Sequence, residues 1–167
     1  MCVWVNTVVV WLLTQTIRQV SSCADQINLQ FQGKGLKNKD GWFGKSDPFY
    51  TISRCNEDNS YTLVFKSEVV MDDLSPNFKV ARVQVQKLCN GDYMRPLKIE
   101  IWDWDADGEH DTMGYVETNL AAIIEGCGKP EGRMAVKYQK KTYGTFLVSK
   151  ADVFQVSKRV ERANDRG

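Results

Sequence analysis

Short runs in which apolar and polar residues alternate recur along most of this 167-residue chain and limit the folds it can adopt. Ile27-Asn28-Leu29-Gln30-Phe31-Gln32 is one such run, and Leu97-Lys98-Ile99-Glu100-Ile101-Trp102 is another. A period of two places successive side chains on opposite faces, as in a strand with one buried face. About eight such runs lie between turn-forming residues. The sequence therefore predicts an all-β fold, an eight-stranded antiparallel β-sandwich.

The other predicted strands also begin or end at turn residues such as Asp47-Pro48, Ser75-Pro76-Asn77 and Asn90-Gly91. Pro48 restricts the residue before it to extended geometry, so a strand is expected to start there. The remaining predicted strands span residues 49–53, 61–65, 78–85, 113–118, 133–138 and 145–148. Residues 120–124 form the single run with helical character, and Asn119 is placed to cap it, so one short helix is expected.

Three segments can be distinguished along the chain. Residues 25–152 carry the strand pattern, and they are numerous enough for one domain with a real core. Residues 1–24 are an N-terminal extension of unassigned role. Their apolar run at 3–13 is shorter than the ~20 residues that cross a bilayer. A secretory signal is the alternative, although no Lys or Arg precedes the run. Residues 153–167 are expected to be a polar C-terminal tail.

Charge and cysteine content narrow the functional classes. Lys+Arg 22 against Asp+Glu 21 gives no overall basic charge, so nucleic acid is not an expected partner. Five scattered cysteines without a C-x-x-C pair favour reduced thiols and a cytoplasmic location. If residues 1–24 are a signal peptide, secretion is expected instead. The chain has no G-x-S-x-G motif and no phosphate-binding glycine loop, so we expect no enzyme activity.

Two acidic clusters occur where predicted strands give way to loops. The first runs from Asp40 to Asp47, and the second contains Asp103, Asp105 and Asp111. Neighbouring carboxylates repel one another, and a hard cation with many oxygen ligands relieves that repulsion. The arrangement predicts a Ca²⁺ site shared by two loops at one end of the sandwich. The backbone carbonyls of Lys39 and Trp104 would add neutral oxygen ligands.

The second cluster also resembles an EF-hand, because Asp103, Asp105, Asp107 and Gly108 fit D-x-D-x-D-G. The twelfth position is Gly114 rather than Glu, and strands rather than helices are predicted on both sides. The EF-hand is therefore rejected. Asp107 is left with two interpretations, a ligand of a second ion or a turn-forming Asp-Gly.

Several motifs occur in the order found in C2 domains. They are Gly44-Lys45-Ser46-Asp47-Pro48-Phe49, Lys66-Ser67-Glu68-Val69, Leu74-Ser75-Pro76-Asn77-Phe78, Ile101-Trp102-Asp103-Trp104-Asp105 and His110-Asp111-Thr112-Met113-Gly114. Residues 26–151 resemble a C2 module through them. Leu88-Cys89-Asn90-Gly91-Asp92-Tyr93, with Asp107-Gly108 before His110-Asp111, narrows the resemblance to the second C2 domain of the copine family. Copines also carry a first C2 domain and a von Willebrand A-like domain, which have no counterpart in this sequence, so a truncated member is expected.

The resemblance implies a permuted, type II C2 topology and five aspartate ligands for Ca²⁺. Carried over position by position, these ligands are Asp40, Asp47, Asp103, Asp105 and Asp111. The first acidic loop is one residue longer than the family pattern. Asn38 is therefore an alternative to Asp40 as a ligand.

The same resemblance implies docking on anionic phospholipid membranes. Trp42 and Phe43, at the tip of the first acidic loop, would insert into the membrane interface, although one of them could pack under the loop instead. Lys66, Arg82 and Lys98, with Lys79, would contact lipid headgroups if they share one face. The expected protein is a calcium-dependent phospholipid-binding module, recruited from the cytoplasm to the plasma membrane or other anionic membranes. The alternatives are an adaptor that binds protein partners through a sheet face and, less favoured, a fragment of a lipase or kinase.

Overall fold

The computed structural model describes residues 25–41 and 44–155, and these form eight antiparallel strands with two short helices. The strands are β1 (Asp25–Lys34), β2 (Pro48–Cys55), β3 (Tyr61–Lys66), β4 (Ala81–Gln84), β5 (Pro96–Asp103), β6 (Asp111–Asn119), β7 (Arg133–Tyr138) and β8 (Lys141–Gln155). The helices are α1 (Val85–Cys89) and α2 (Leu120–Gly126), and a 3-10 helix spans Pro130–Gly132. No helix in the described part of the chain is long and apolar enough to span a bilayer.

The strands are hydrogen-bonded in the order β3-β2-β5-β6-β7-β8-β1-β4. Strands β6 and β7 share a single pair, Tyr115 with Lys137, and this junction divides the order into two four-stranded sheets. The sheets face each other, because the ring of Phe31 on β1 lies 5.3 Å from that of Tyr50 on β2. The expected all-β sandwich is confirmed, and its first and last strands, β1 and β8, lie side by side.

Gly114 permits the junction between the two sheets. Its φ is 133°, and a Cβ there would lie 2.7 Å from the carbonyl oxygen of Lys137. The register between β5 and β6 also shifts at this point, between Ile101 and Trp102. A residue with a side chain at position 114 would push β6 away from β7.

The alternation read from the sequence matches the burial along β1 and β5. Ile27, Leu29 and Phe31 are buried in the core, and the polar residues between them are half-buried on the outer face. On β5, Ile99 and Ile101 point inward in the same way. The core fills the space between the sheets, so both ends of the sandwich are left to loops.

The region around α1 differs from the prediction of a strand over 78–85. Strand β4 is only four residues long, and the chain then turns through α1. Val85, Leu88 and Cys89 recur at helical spacing and are all buried, whereas Val80 is 47% exposed. The predicted helix over 120–124 is present as α2, and the Asn119 side chain accepts a hydrogen bond from the Ala122 N–H at 2.8 Å.

Strand β8 is longer than expected. It continues past residue 152 to Gln155, where it pairs with Asp25. The described pairing of β8 therefore includes residues 153–155, which were expected to belong to the polar tail.

Candidate metal and membrane-binding end of the sandwich

The strand register brings the two acidic clusters to the same end of the sandwich. Pro48, the first residue of β2, pairs with Asp103, the last residue of β5. Asp103 also pairs with Asp111, the first residue of β6. The first acidic loop therefore enters β2 directly beside the point where the loop 104–110 leaves β5.

Hydrogen bonds join the two loops as well. The backbone N–H of Asp47 donates to Oδ1 of Asp103 at 2.7 Å, and the N–H of Trp104 donates to the carbonyl of Asp47 at 3.1 Å. The Asp103 residue is 1% exposed. Its carboxylate is thus held between the loops by a charge-assisted bond, while Trp104 is 37% exposed.

A third loop, residues 67–80, contributes Asp72, which sequence reasoning did not include in the site. The N–H of Asp72 donates to Oδ1 of Asp47 at 2.7 Å, and its φ of 53° is left-handed. The pair Asp72-Asp73, between the Lys66-Ser67-Glu68-Val69 and Leu74-Ser75-Pro76-Asn77-Phe78 motifs, was the available signal. These two aspartates have no alternating spacing and no motif of their own, so the sequence does not place them with the other carboxylates.

Asp40 is affected by the charges of all three loops. Partial desolvation, followed by the charges of four neighbouring carboxylates, raises the pKa of Asp40; these neighbours are Asp103, Asp47, Asp105 and Asp72. The negative charges around Asp40 form an environment that favours a cation.

Lys39 supplies a cation from within the protein. Its Nζ lies 3.5 Å from Oδ2 of Asp111, and its side chain is only 14% exposed. Burial disfavours the ammonium group, but a hydrogen bond to the Tyr138 hydroxyl and the charge of Asp111 outweigh it and raise the pKa of Lys39. Asp111 is therefore paired with a lysine, whereas Asp40 and Asp47 are not in any ion pair found among the described residues.

The loop 104–110 is closed by His110. Nδ1 of this residue accepts a hydrogen bond from the Asp105 N–H at 3.1 Å, and its ring packs edge-on against Phe49 with centroids 5.0 Å apart. The Asp107 side chain accepts from the Glu109 N–H at 3.0 Å, which is the bond of a turn-forming aspartate. Asp105 is half-buried and Asp107 is exposed.

Asn38 holds the first acidic loop together. Its Oδ1 accepts from the N–H groups of Asp40 at 3.3 Å and Ser46 at 3.1 Å. Its Nδ2 donates to the carbonyls of Gly41 at 3.1 Å and Gly44 at 2.9 Å. Both amide atoms of Asn38 are therefore used within the loop, and the choice between Asp40 and Asn38 as a ligand stays a prediction.

Among residues 25–41 and 44–155, no three His, Cys, Asp or Glu side chains are grouped closely enough to hold a metal ion. The chemistry of the donors nevertheless fits Ca²⁺, since carboxylate and carbonyl oxygens from flexible loops are its preferred ligands. Asp40, Asp47, Asp103 and Asp105 would supply carboxylates, and Lys39 and Trp104 would supply carbonyl oxygens. Asp111 would have to leave Lys39 to join them.

The two residues predicted to enter the membrane, Trp42 and Phe43, lie outside the described residues, so their role stays a prediction. The predicted headgroup lysines are placed on one sheet. Lys66 on β3 lies opposite Thr51 of β2, and Lys98 on β5 lies opposite Ser53 of β2. Both lysines are on the outer face of the β3-β2-β5-β6 sheet. Lys98 is engaged there by Glu100, with Nζ and Oε1 2.7 Å apart.

Arg82 lies elsewhere. It stands on β4 between the buried residues Ala81 and Val83, so it points away from the core on the opposite sheet. Its guanidinium lies 5.0 Å from the centre of the Phe154 ring. The structure therefore brings together two of the three basic residues, Lys66 and Lys98, and separates Arg82 from them.

Comparison with known proteins gives a consistent result. A family model described as the C2 domain matches residues 29–134, well over half of the chain. The solved structure of BON1-C2B superimposes with a TM-score of 0.69 at 25% sequence identity, covering 83% of this chain and 96% of that one. The C2A domain of a plant Extended Synaptotagmin 1 gives a TM-score of 0.58 at 18% identity, covering 81% and 98%.

Proposed function

The chain belongs to the C2 domain family, whose members are generally non-catalytic binding modules, and from this we propose that it binds anionic phospholipid membranes in a calcium-dependent way. The copine family's second C2 domain is the type we propose, on the motifs quoted above and the likeness to BON1-C2B. We propose that the protein lies in the cytoplasm and is recruited to membranes when the calcium concentration rises.

One observation carries this proposal: three loops present carboxylates at one end of the sandwich. Asp47 is the centre of the arrangement, since its N–H binds Asp103 and its carboxylate binds the N–H of Asp72. Ca²⁺ bound here would be held by Asp40, Asp47, Asp103 and Asp105, with Asp111 and the two backbone carbonyls. Ca²⁺ held there would offset the negative charge of the carboxylates, and lipid phosphate could complete its coordination.

Hydrogen bonds made by two side chains fix the shape of the acidic loops at that end of the molecule. Asn38 shapes the first loop and His110 closes the loop 104–110, so the loop backbones are held while the carboxylate side chains would move together around the ion. Trp42 and Phe43 follow Asp40 in the sequence, and we propose that they enter the interface once the charge is neutralised. Lys66 and Lys98 would then meet headgroups along the neighbouring sheet face.

Sedimentation with liposomes tests this function. The 167-residue chain should sediment with vesicles of phosphatidylcholine and phosphatidylserine in Ca²⁺ and remain in the supernatant in excess chelator at physiological salt. Asp103→Asn with Asp105→Asn should abolish the calcium-driven fraction, because it removes two ligands. Calcium-driven sedimentation of the double variant equal to that of the parent would contradict the assigned ligands.

A protein–protein adaptor is the second candidate, and the edge strand β3 favours it. Tyr61 and Leu63 on its outer face are 45% and 58% exposed. Pairs of large exposed apolar side chains on a sheet face are typical of protein-binding surfaces. The adaptor function predicts no vesicle binding with or without Ca²⁺ and loss of a protein partner when Leu63 is replaced by Lys.

A further inference from the structure

The hairpin between β7 and β8 carries charge of one sign. From position 133 to position 148 the chain has four basic residues and no acidic one: Arg133, Lys137, Lys140 and Lys141. We call residues 137–143 the basic hairpin; its tip is a tight turn in which Tyr138 pairs with Lys141. Lys140 and Lys141 are exposed and take part in none of the ion pairs found in the described chain.

The basic hairpin lies at the acidic-loop end of the sandwich. Thr145 of β8 pairs with Lys34, the last residue of β1 before the first acidic loop. Gly144 packs directly on that loop, since a Cβ at this position would lie 2.3 Å from the carbonyl oxygen of Gly35. The hairpin tip therefore points in the same direction as the loops that carry Asp40 and Asp103.

Two lysines of the first acidic loop join it to the basic hairpin. Lys37 Nζ lies 3.7 Å from the centre of the Tyr138 ring and 5.2 Å from that of Tyr143. Lys39 Nζ lies 5.0 Å from the Tyr138 ring and also pairs with Asp111. These contacts attach the first acidic loop to the tyrosine rings of the basic hairpin through cation–π interactions.

We propose that the basic hairpin is a second membrane-contact element, which binds the phosphates of anionic lipids beside the acidic loops without requiring calcium. This deepens the membrane-binding function proposed above and rests on it for the direction in which the domain approaches a bilayer. A bilayer is the occupant that fits, because it is the one flat anionic surface that can meet loops and hairpin together. Tyr138 and Tyr143 have the amphipathic rings favoured at that interface.

The acidic loops and the basic hairpin would differ in how their membrane binding depends on calcium, because their charges are opposite. In the calcium-free protein the acidic loops repel an anionic surface and the basic hairpin attracts it, so binding is weak and depends on the lysines. When Ca²⁺ neutralises the loops, both elements attract the bilayer. The hairpin thus supplies the calcium-independent part of the affinity, and that part decreases with ionic strength because exposed charges are screened within about 10 Å at 0.1 M salt.

The test compares two matched double variants of the full chain. Lys140→Gln with Lys141→Gln removes two charges from the hairpin tip. Lys87→Gln with Lys129→Gln removes two exposed lysines from the opposite end, on α1 and before the 3-10 helix. Vesicles of phosphatidylcholine alone and of phosphatidylcholine with phosphatidylserine are used at low salt, in chelator and in Ca²⁺, and circular dichroism checks that each variant is folded.

We expect the parent to bind the phosphatidylserine vesicles weakly in chelator and not to bind phosphatidylcholine. The hairpin variant should lose about fivefold in partitioning per lysine, which is the ~1 kcal/mol each that a surface charge contributes. The Lys87/Lys129 variant should bind as the parent does. Equal binding by the parent and the hairpin variant, equal losses in both variants, or no binding of the parent in chelator would overturn the proposal.

The two proposals fail in different ways. If Ca²⁺ adds nothing to binding while the hairpin variant still loses affinity in chelator, the basic hairpin stands and the calcium function is wrong. If calcium-driven binding is present and the hairpin lysines have no effect in either condition, the calcium function stands and the basic hairpin is not a contact element.

Discussion

Asn38 holds a loop whose own carboxylates repel one another. It is a neutral residue two positions before Asp40, and its amide joins the start of the first acidic loop to its end at Ser46. An aspartate in this position could accept from the same N–H groups but could not donate to the carbonyl of Gly44. The neutral Asn38 amide therefore fixes the shape of the loop, and the charge of the loop comes from the neighbouring side chains.

We predict that Asn38→Ala lowers the free energy of unfolding by about 1–2 kcal/mol in the presence of chelator, because five loop groups lose their hydrogen-bond partner. Urea denaturation of the calcium-free protein measures this. If Asn38 acted only as a metal ligand, stability without calcium would be unchanged and the loss would appear only when Ca²⁺ is added.

For single residues, the sequence could indicate only what a local pattern specifies. The spacing of Asp103, Asp105 and Asp111 was sufficient to place them around one loop. Asp72 and the pairing of Lys39 with Asp111 were not predicted, because these contacts join residues far apart in sequence and depend on the register of the strands. The outward direction of Arg82 likewise depends on which sheet β4 joins.

At the scale of elements, strands with one buried face were predicted closely, and short or irregular elements were not. The predicted strand at 133–138 is β7, whereas the one at 78–85 contains only the four residues of β4. Val85 fits both the alternation of a strand and the spacing of a helix. The chain forms the helix α1 there, in which Leu88 and Cys89 are buried with it. A helix of five residues has too few positions for its period to be recognised.

The packing of β8 on the first acidic loop depends on Gly144. Its φ is 68°, and a side chain would overlap the backbone of Lys34 and Gly35. We predict that Gly144→Ala destabilises the protein by about 2–5 kcal/mol, the sum of a left-handed alanine and a steric overlap. Gly128, with a φ of 70° and open space around it, is the matched control.

Gly128→Ala should cost only about 1–2 kcal/mol, since its strain is confined to the backbone angle. Urea denaturation of both variants gives the comparison. Equal losses would show that the close approach between the β7–β8 hairpin and the first loop is absent in solution.

At the scale of the whole molecule, strand pairing brings together acidic groups that are distant in the chain. The sequence could predict that such a meeting occurs, because the alternating strands and the motif order both indicate a C2 sandwich. The geometry of the meeting came from pairs such as Pro48 with Asp103, which no local pattern specifies.

Calcium should therefore stabilise the whole fold, since only the folded chain gathers the carboxylates. With Kd roughly 10⁻⁵–10⁻³ M for the isolated domain, Ca²⁺ at 100 times Kd should add about 2.7 kcal/mol and raise Tm by ~6–10 °C. Differential scanning calorimetry measures the shift, with Mg²⁺ and the Asp103→Asn, Asp105→Asn variant as controls. An unchanged Tm at about 100 mM Ca²⁺, which is 100 times the upper Kd, would argue against a site at these loops.

The pairing of β1 with β8 also determines how the domain would respond to a pulling force. Asp25 lies opposite Gln155, so the two ends of the described fold lie side by side, away from the acidic loops. Tension applied through both ends would separate the β1–β8 residue pairs one at a time rather than shear all pairs together. If a bilayer held the loops and the force acted at this end, the force would be directed along the strands. The strand pairs would then have to shear together, and the domain would resist a larger force.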